Sequence, residues 1–322
     1  MGESVIRVRD LYKIYRVGNN KVRALNGVDF EIEKGEFCCI VGTSGSGKST
    51  LLNMMAGLEK PTKGQIVIAG EHIEKKSESQ LVLFRQAHVG FIFQSYNLLP
   101  NMTALENVAM PLTFQGVDKQ IRELRAKRML KLVGLEKYSK HRPGQMSGGQ
   151  QQRVGIARAL VVEPEIVFAD EPTGNLDSNT TMEVLQLIRK IVHEKGQTMV
   201  MVTHDNYLAS FGDRVIHIRD GKILRIDDNR GKSMEERLGN GGNEMGGTLD
   251  GATLEMLDAA KTTGVSNTAV AAEISNALNV PATAEAAEIS NIPGVPKVPQ
   301  TQASPSGLWE EVAAAQKASD DK

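Results

Sequence analysis

Two cysteines stand in 322 residues, and they are neighbours, Cys38 and Cys39. Adjacent residues of a strand point to opposite faces, so the pair reads as small buried side chains of a reducing compartment, not as a disulfide or a metal pair. No run reaches the ~18 consecutive apolar residues of a membrane-spanning helix, and nothing before Val5 has the length of a secretory leader. Aromatic residues make up only 4% of the chain. The one basic stretch, Glu123-Leu124-Arg125-Ala126-Lys127-Arg128-Met129-Leu130, has no aromatic interleaving and is broken by acid, so it reads as a solvated helix face and not as a nucleic-acid surface. With 40% hydrophobic and 24% charged residues, the length accommodates one α/β core, a satellite subdomain and a further segment.

Against this background one pattern stands out. Gly42, Thr43, Ser44, Gly45, Ser46, Gly47, Lys48, Ser49 and Thr50 spell G-x-x-x-x-G-K-S-T. An apolar run, residues 37–41, precedes them and a helix-compatible stretch, residues 51–56, follows. The glycines let the backbone curl so that successive N–H groups and a helix N-terminus point at phosphate oxygens. Lys48 adds a point charge, and Ser49 offers a hydroxyl to the magnesium ion that accompanies a nucleoside triphosphate.

Further along, Met146-Ser147-Gly148-Gly149-Gln150 precedes a helix pattern at residues 154–161. Residues 166–169, four apolar residues running into Asp170 and Glu171, read as a buried parallel strand, whose C-terminal end is where ligands bind in open α/β sheets. Asp170 is then placed to hold magnesium and Glu171 to polarise an attacking water. Thr173-Gly174-Asn175-Leu176-Asp177 follows, and Thr203-His204-Asp205 ends another β-branched run.

In these ordered motifs the chain resembles the nucleotide-binding subunits of ATP-binding cassette (ABC) transporters, over roughly residues 4–228. The resemblance implies an α/β fold: a P-loop, RecA-like, mostly parallel sheet core, an antiparallel β subdomain framing the adenine, and a helical subdomain at about residues 95–162. It implies that Gly42 to Ser49 is the phosphate loop, Gln94 the Q-loop glutamine near the metal and the water, and Ser147, Gly148, Gly149 and Gln150 the signature. Asp170 becomes the magnesium carboxylate, Glu171 the catalytic base, Asp177 the D-loop aspartate and His204 the switch histidine at the γ-phosphate. Tyr15 falls where the family stacks an aromatic ring on the adenine; a tyrosine half-buried in a strand is the alternative. Met146 departs from the family's leucine, a swap of similar volume that costs little. Because the family's signature acts on the nucleotide of the opposite subunit, a homodimer closing on two ATP molecules is expected. Cargo would cross through a separate integral-membrane permease, so the chain would sit in the cytoplasm against the inner face of the membrane.

Residues 90–100, G-F-I-F-Q-S-Y-N-L-L-P, with Thr103-Ala104-Leu105-Glu106-Asn107-Val108 and Met110-Pro111-Leu112, resemble the branch that serves macrolide exporters, lipoprotein-releasing complexes and the cell-division cassette. In that branch ATP closure moves domains of the permease, whose coupling helix would meet Gln94 to Met102. A nutrient-importer cassette and a soluble non-transport cassette ATPase share the hydrolytic motifs. Tandem cassettes or a coiled-coil insertion would mark the soluble kind, and only the string at residues 90–112 argues against the importer.

Coarsely, residues 5–32 read as two short amphipathic strands, residues 106–112 and 121–133 as helices, and residues 214–219 and 222–226 as closing strands. The cassette is expected to end near residue 229. Beyond it, 7 Lys and Arg stand against 13 Asp and Glu, a net charge of -6 that leaves +5 for the rest of a chain whose total is -1. Gly239-Asn240-Gly241-Gly242 opens this acidic segment, 230–322, and its helix-compatible pieces are too short to be stable alone, so flexibility is expected.

Overall fold

The computed structural model describes residues 3–18, 20–233 and 236–237. Its main elements run β1 (Ser4–Val17), β2 (Asn20–Glu33), β3 (Phe37–Val41), α1 (Lys48–Met55), β4 (Lys63–Ile68), β5 (Glu71–His72), α2 (Glu78–His88), β6 (Val89–Ile92), α3 (Ala104–Phe114) and α4 (Lys119–Leu132). They continue as α5 (Gly148–Leu160), β7 (Ile166–Asp170), α6 (Ser178–Glu194), β8 (Thr198–Thr203), α7 (Asn206–Ala209), β9 (Arg214–Arg219) and β10 (Lys222–Asp228).

One sheet has the order β10-β9-β3-β8-β7-β6. All its neighbours pair in parallel except β10, which returns antiparallel along β9. Strands covered on both faces must be apolar throughout, and β3 and β8 are buried at every position. The two-residue period then sorts them. Cys38 and Ile40 face a core shared with β1, β2, β4 and α1, whereas Cys39 and Val41 face a core shared with α3, α4, α5 and α6. The two thiols therefore lie on opposite sides of one sheet, free and fully buried, as the sequence predicts.

The second sheet, β2-β1-β4-β5, is antiparallel. Here the two short strands expected over residues 5–32 are instead 14 residues each. Irregularities hide their length: the pairing of β1 with β2 shifts register between Val8 and Leu11, and Asp10 sits between them in a left-handed conformation, φ 46°. A bulge interrupts the alternation of faces, so the pattern reads as two pieces where the backbone is one strand.

The helical layer starts earlier than its periodicity indicates. α5 begins at Gly148, inside the signature, because Ser147 caps it. Gln150 N donates to Ser147 Oγ at 3.3 Å, and Ser147 N donates to Gln150 Oε1 at 3.0 Å. Such reciprocal capping satisfies two otherwise orphaned donors and offsets the poor helix propensity of the two glycines.

The chain continues past β10 against the same body. Asn229 is buried, its N–H donating to Asp213 O at 2.8 Å and its side-chain amide to Gly212 O at 3.2 Å. Arg230 pairs with Glu33 at 2.9 Å, and Arg237 donates to Ser210 O at 3.2 Å. The expectation of a flexible acidic segment lies, from residue 238 onward, outside the described residues.

Candidate functional site

Strand β3 ends at the central position of the parallel sheet, and the loop that leaves it can contain no side chain at two places. A Cβ on Gly42 would stand 2.1 Å from the Ile218 carbonyl oxygen. At Gly47 the backbone is left-handed, φ 101°, and a Cβ would stand 2.4 Å from Ala24 O. The curl delivers Lys48 as the first residue of α1, buried, with its ammonium donating to the carbonyls of Gly42 at 2.8 Å and Thr43 at 2.9 Å. Burial pushes the Lys48 ammonium toward a lower pKa, while Glu171 and Asp170 pull it back up. Ser46 closes the turn by donating its N–H to Thr43 O, and its hydroxyl is buried without a partner among the described residues.

Around this loop lies a cleft of about 500 Å³, lined by Ala24, Ser44, Gly45, Gly47, Lys48, Ser49, Thr50, Glu171 and His204, a size suited to a small-molecule ligand. β7 brings the carboxylates to its rim. Ser49 Oγ donates to Asp170 Oδ1 at 3.2 Å. The Asp170 carboxyl is pushed up by burial and by Glu171, with the Ser49 hydrogen bond and Lys48 opposing. Glu171 sits in a left-handed conformation, φ 42°, with its N–H donating to Val202 O at 3.0 Å. Non-glycine residues held there gather at functional sites, where the surroundings fix them. Its Oε1 meets His204 Nδ1 at 2.9 Å, so the residue just after β7 and the residue just after β8 form one pair.

The remaining expected residues do not join that cleft. A second cleft, about 440 Å³, is lined by Ser147, Gly148, Gly149, Gln150, Asn175, Asp177 and neighbours from α5 and α6. Gly149 faces Thr180 so closely that a Cβ would stand 2.6 Å from Thr180 Cγ2. Asp177 caps α6, accepting from Thr180 N at 3.0 Å and Thr180 Oγ1 at 2.7 Å, which holds its carboxyl below the usual range. Gln94 is exposed, its amide against Gly174 and its backbone carbonyl accepting from Asn175 Nδ2 at 3.0 Å. Tyr15 is half-buried on β1, with Oη donating to Glu59 Oε2 at 2.7 Å and the Lys13 ammonium 5.1 Å from its ring centroid.

Sequence reasoning passed over the groups that hold these loops. Asn107, fully buried in α3, accepts from Leu99 N at 2.8 Å and donates to the carbonyls of Leu99, Met102 and Thr103. Gln152 of α5 donates to Pro172 O, beside Glu171. Arg158, also on α5, donates to the carbonyls of Tyr96 and Asn97. Asparagine, glutamine and arginine inside an amphipathic pattern give no local sign of a backbone partner.

A glycine cradle at the end of one parallel strand, an aspartate and a glutamate at the end of another and a histidine on the glutamate define an α/β protein that binds and cleaves a nucleoside triphosphate. Residues 25–174 match the family profile described as ABC transporter. An uncharacterized ABC transporter ATP-binding protein of Thermotoga maritima is 50% identical over 225 residues, 70% of this chain and 96% of that protein. The lipoprotein-releasing system ATP-binding protein LolD of Geobacter metallireducens is 43% identical, covering 69% of this chain and 98% of the relative. Among solved structures, a dimeric post-hydrolysis state of the ATP-binding cassette MJ0796 bound to ADP and Pi superposes with a TM-score of 0.66 at 43% identity, over 70% of this chain and 99% of that one. The chain belongs to the ABC transporter family of ATP-binding cassettes, and it is an ATPase.

Proposed function

We propose that this chain hydrolyses ATP as a homodimer in which each nucleotide lies between the phosphate loop of one subunit and the signature of the other, and that the closure drives a separate membrane permease of the export or mechanotransmission type. The observation that carries the dimer is the separation of the two clefts. The first holds Lys48, Ser49, Glu171 and His204, the second Ser147, Gly149 and Asp177, and the two share no lining residue. The N-terminus of α5 carries the positive end of its helix dipole and free N–H groups, an anion site whose phosphate must come from elsewhere.

Within this reading each residue has a task. Backbone N–H groups from Gly42 to Thr50 and the Lys48 ammonium hold the β- and γ-phosphates, and Tyr15 stacks on the adenine. The glycine cradle and the hydroxyl and carboxylate oxygens of Ser49 and Asp170 suit ATP with Mg²⁺, which takes few protein ligands beside the phosphates. Gln94 adds an amide oxygen to that set. The metal supplies charge neutralisation at the phosphates. Glu171 orients and polarises the water, with His204 against it, and closure excludes bulk solvent so that these charges act with less screening. The cassette comprises residues 1–229 and the acidic segment begins at 230. The permease docks near Gln94 to Met102, where Leu99 and Met102 are exposed apolar groups, and thereby holds the chain on the cytoplasmic face of the membrane. The likeness to LolD favours this branch over an importer.

Glu171→Gln tests the reading. It is expected to bind Mg-ATP and dimerise while turning over at least a hundredfold more slowly, since the interaction lost belongs to the transition state. Light scattering with ATP present reads the mass. A species that stays monomeric at saturating Mg-ATP sinks the sandwich.

A further inference from the structure

Arg158 has an unusual set of partners. It lies on α5, 8% exposed, and among the described residues no carboxylate pairs with it. Its two terminal nitrogens donate to Asn97 O at 2.6 Å and Tyr96 O at 2.8 Å. Both of those residues are left-handed, φ 59° at Tyr96 and 49° at Asn97. Non-glycine residues are strained in that region, and two in succession persist only where neighbouring structure fixes them. The planar fork of an arginine meets two adjacent carbonyls in a way that no other side chain does. The turn lies two and three residues after Gln94, and a Cβ on Gly148 would stand 2.9 Å from Tyr96 Oη. α5 is thus gripped by the same turn at both ends, and Ser147 is eleven residues, about 16 Å, up a rigid helix from Arg158.

We propose that Arg158 is a positioning residue: by clamping the left-handed turn after Gln94, it fixes the position of Ser147 and its helix N-terminus for the partner's nucleotide, so that a displacement of the Gln94 loop moves the signature as one body. This rests on the sandwich reading above. The Arg158 guanidinium donates to the turn carbonyls and to no residue of the chain's own phosphate loop, so its loss is expected to act on the signature before it acts on nucleotide held there, and this separates it from a general stabilising role.

The experiment uses the full chain carrying Glu171→Gln, with and without Arg158→Met, which keeps an apolar stem and removes the fork. Binding of a fluorescent ATP analogue to dilute monomer is expected to stay within twofold, while the ATP-dependent dimer dissociates at least tenfold more readily. Adding Asn97→Gly, which makes the left-handed conformation free of strain, is expected to recover part of the lost dimerisation. Arg158→Lys, which keeps the charge without the fork, carries the same comparison should Arg158→Met fail to fold. Dimerisation unchanged by Arg158→Met, nucleotide affinity and dimerisation falling together, or a defect that Asn97→Gly leaves untouched each overturns the proposal. A Glu171→Gln parent that never dimerises removes the sandwich reading itself, and is seen before Arg158 is varied.

Discussion

Lys48 combines burial with a positive charge, and among the described residues its ammonium donates to loop carbonyls alone. A phosphate would supply the full countercharge, and charged hydrogen bonds contribute about 1.5–3 kcal/mol. Lys48→Ala is therefore expected to weaken ATP binding about tenfold or more, read by titration with a fluorescent nucleotide; unchanged affinity would remove Lys48 from the phosphate site. His217 makes a different case. It is buried on β9, and Nε2 lies 2.8 Å from Asp227 Oδ2 with Arg225 on the same carboxylate. Burial first, and Arg225 second, lower its pKa, against the pull of Asp227. A histidine depressed in the folded state takes up its proton more readily when unfolded, so its contribution is present above the unfolded pKa and is lost as pH falls from about 7 through the lowered folded value. Thermal unfolding of His217→Gln is expected to depend less on pH between about 7.5 and 5 than that of the native chain, and equal slopes would count against this origin. Neither the charge of Lys48 nor its task is hidden in the sequence, since its neighbours spell a phosphate loop; the His217 environment is set by a strand partner ten residues away and leaves no local trace.

The elements differ in how openly the sequence declares them. β3, α1, β7 and β8 were legible because a continuous apolar run followed by glycines or carboxylates admits few other structures. The length of β1 was not, because a bulge at Asp10 inverts the faces midway. α3 shows the same limit for side chains. Asparagine inside a helix is normally a mild penalty because it competes for the backbone, yet Asn107 serves four backbone groups of the segment that leads from the Gln94 loop into its own helix. Replacing it by alanine leaves several buried groups unpaired, each costing about 1–3 kcal/mol. Asn107→Ala is expected to lose roughly 2–4 kcal/mol in urea unfolding, and a loss below about 1 kcal/mol would show that the segment is held by its apolar contacts instead.

At the scale of the whole molecule, single side chains past β10 bond back onto the cassette, Asn229, Arg230 and Arg237 among them, and a change of charge and glycine content near residue 229 gives no sign of such anchors. A chain cut after Gly239 keeps Asn229, Arg230 and Arg237 and is expected to unfold within about 1 kcal/mol of the full chain, with the same basal ATPase. A cut after Asp228 removes the buried Asn229 and is expected to lose about 1–3 kcal/mol, the exposed Arg230 pairs adding little. A loss above roughly 3 kcal/mol for the longer form would place the acidic segment in the core. The two cysteines bear on the same body from within. Cys38 faces the core shared with the antiparallel sheet and Cys39 the core shared with the helices, and burial raises both thiols far above the usual range, so neither reacts until its own side opens. The chain thereby carries two chemical clocks on one strand, and the order in which an alkylating reagent marks Cys38 and Cys39 under native conditions reports which face of the central sheet breathes first.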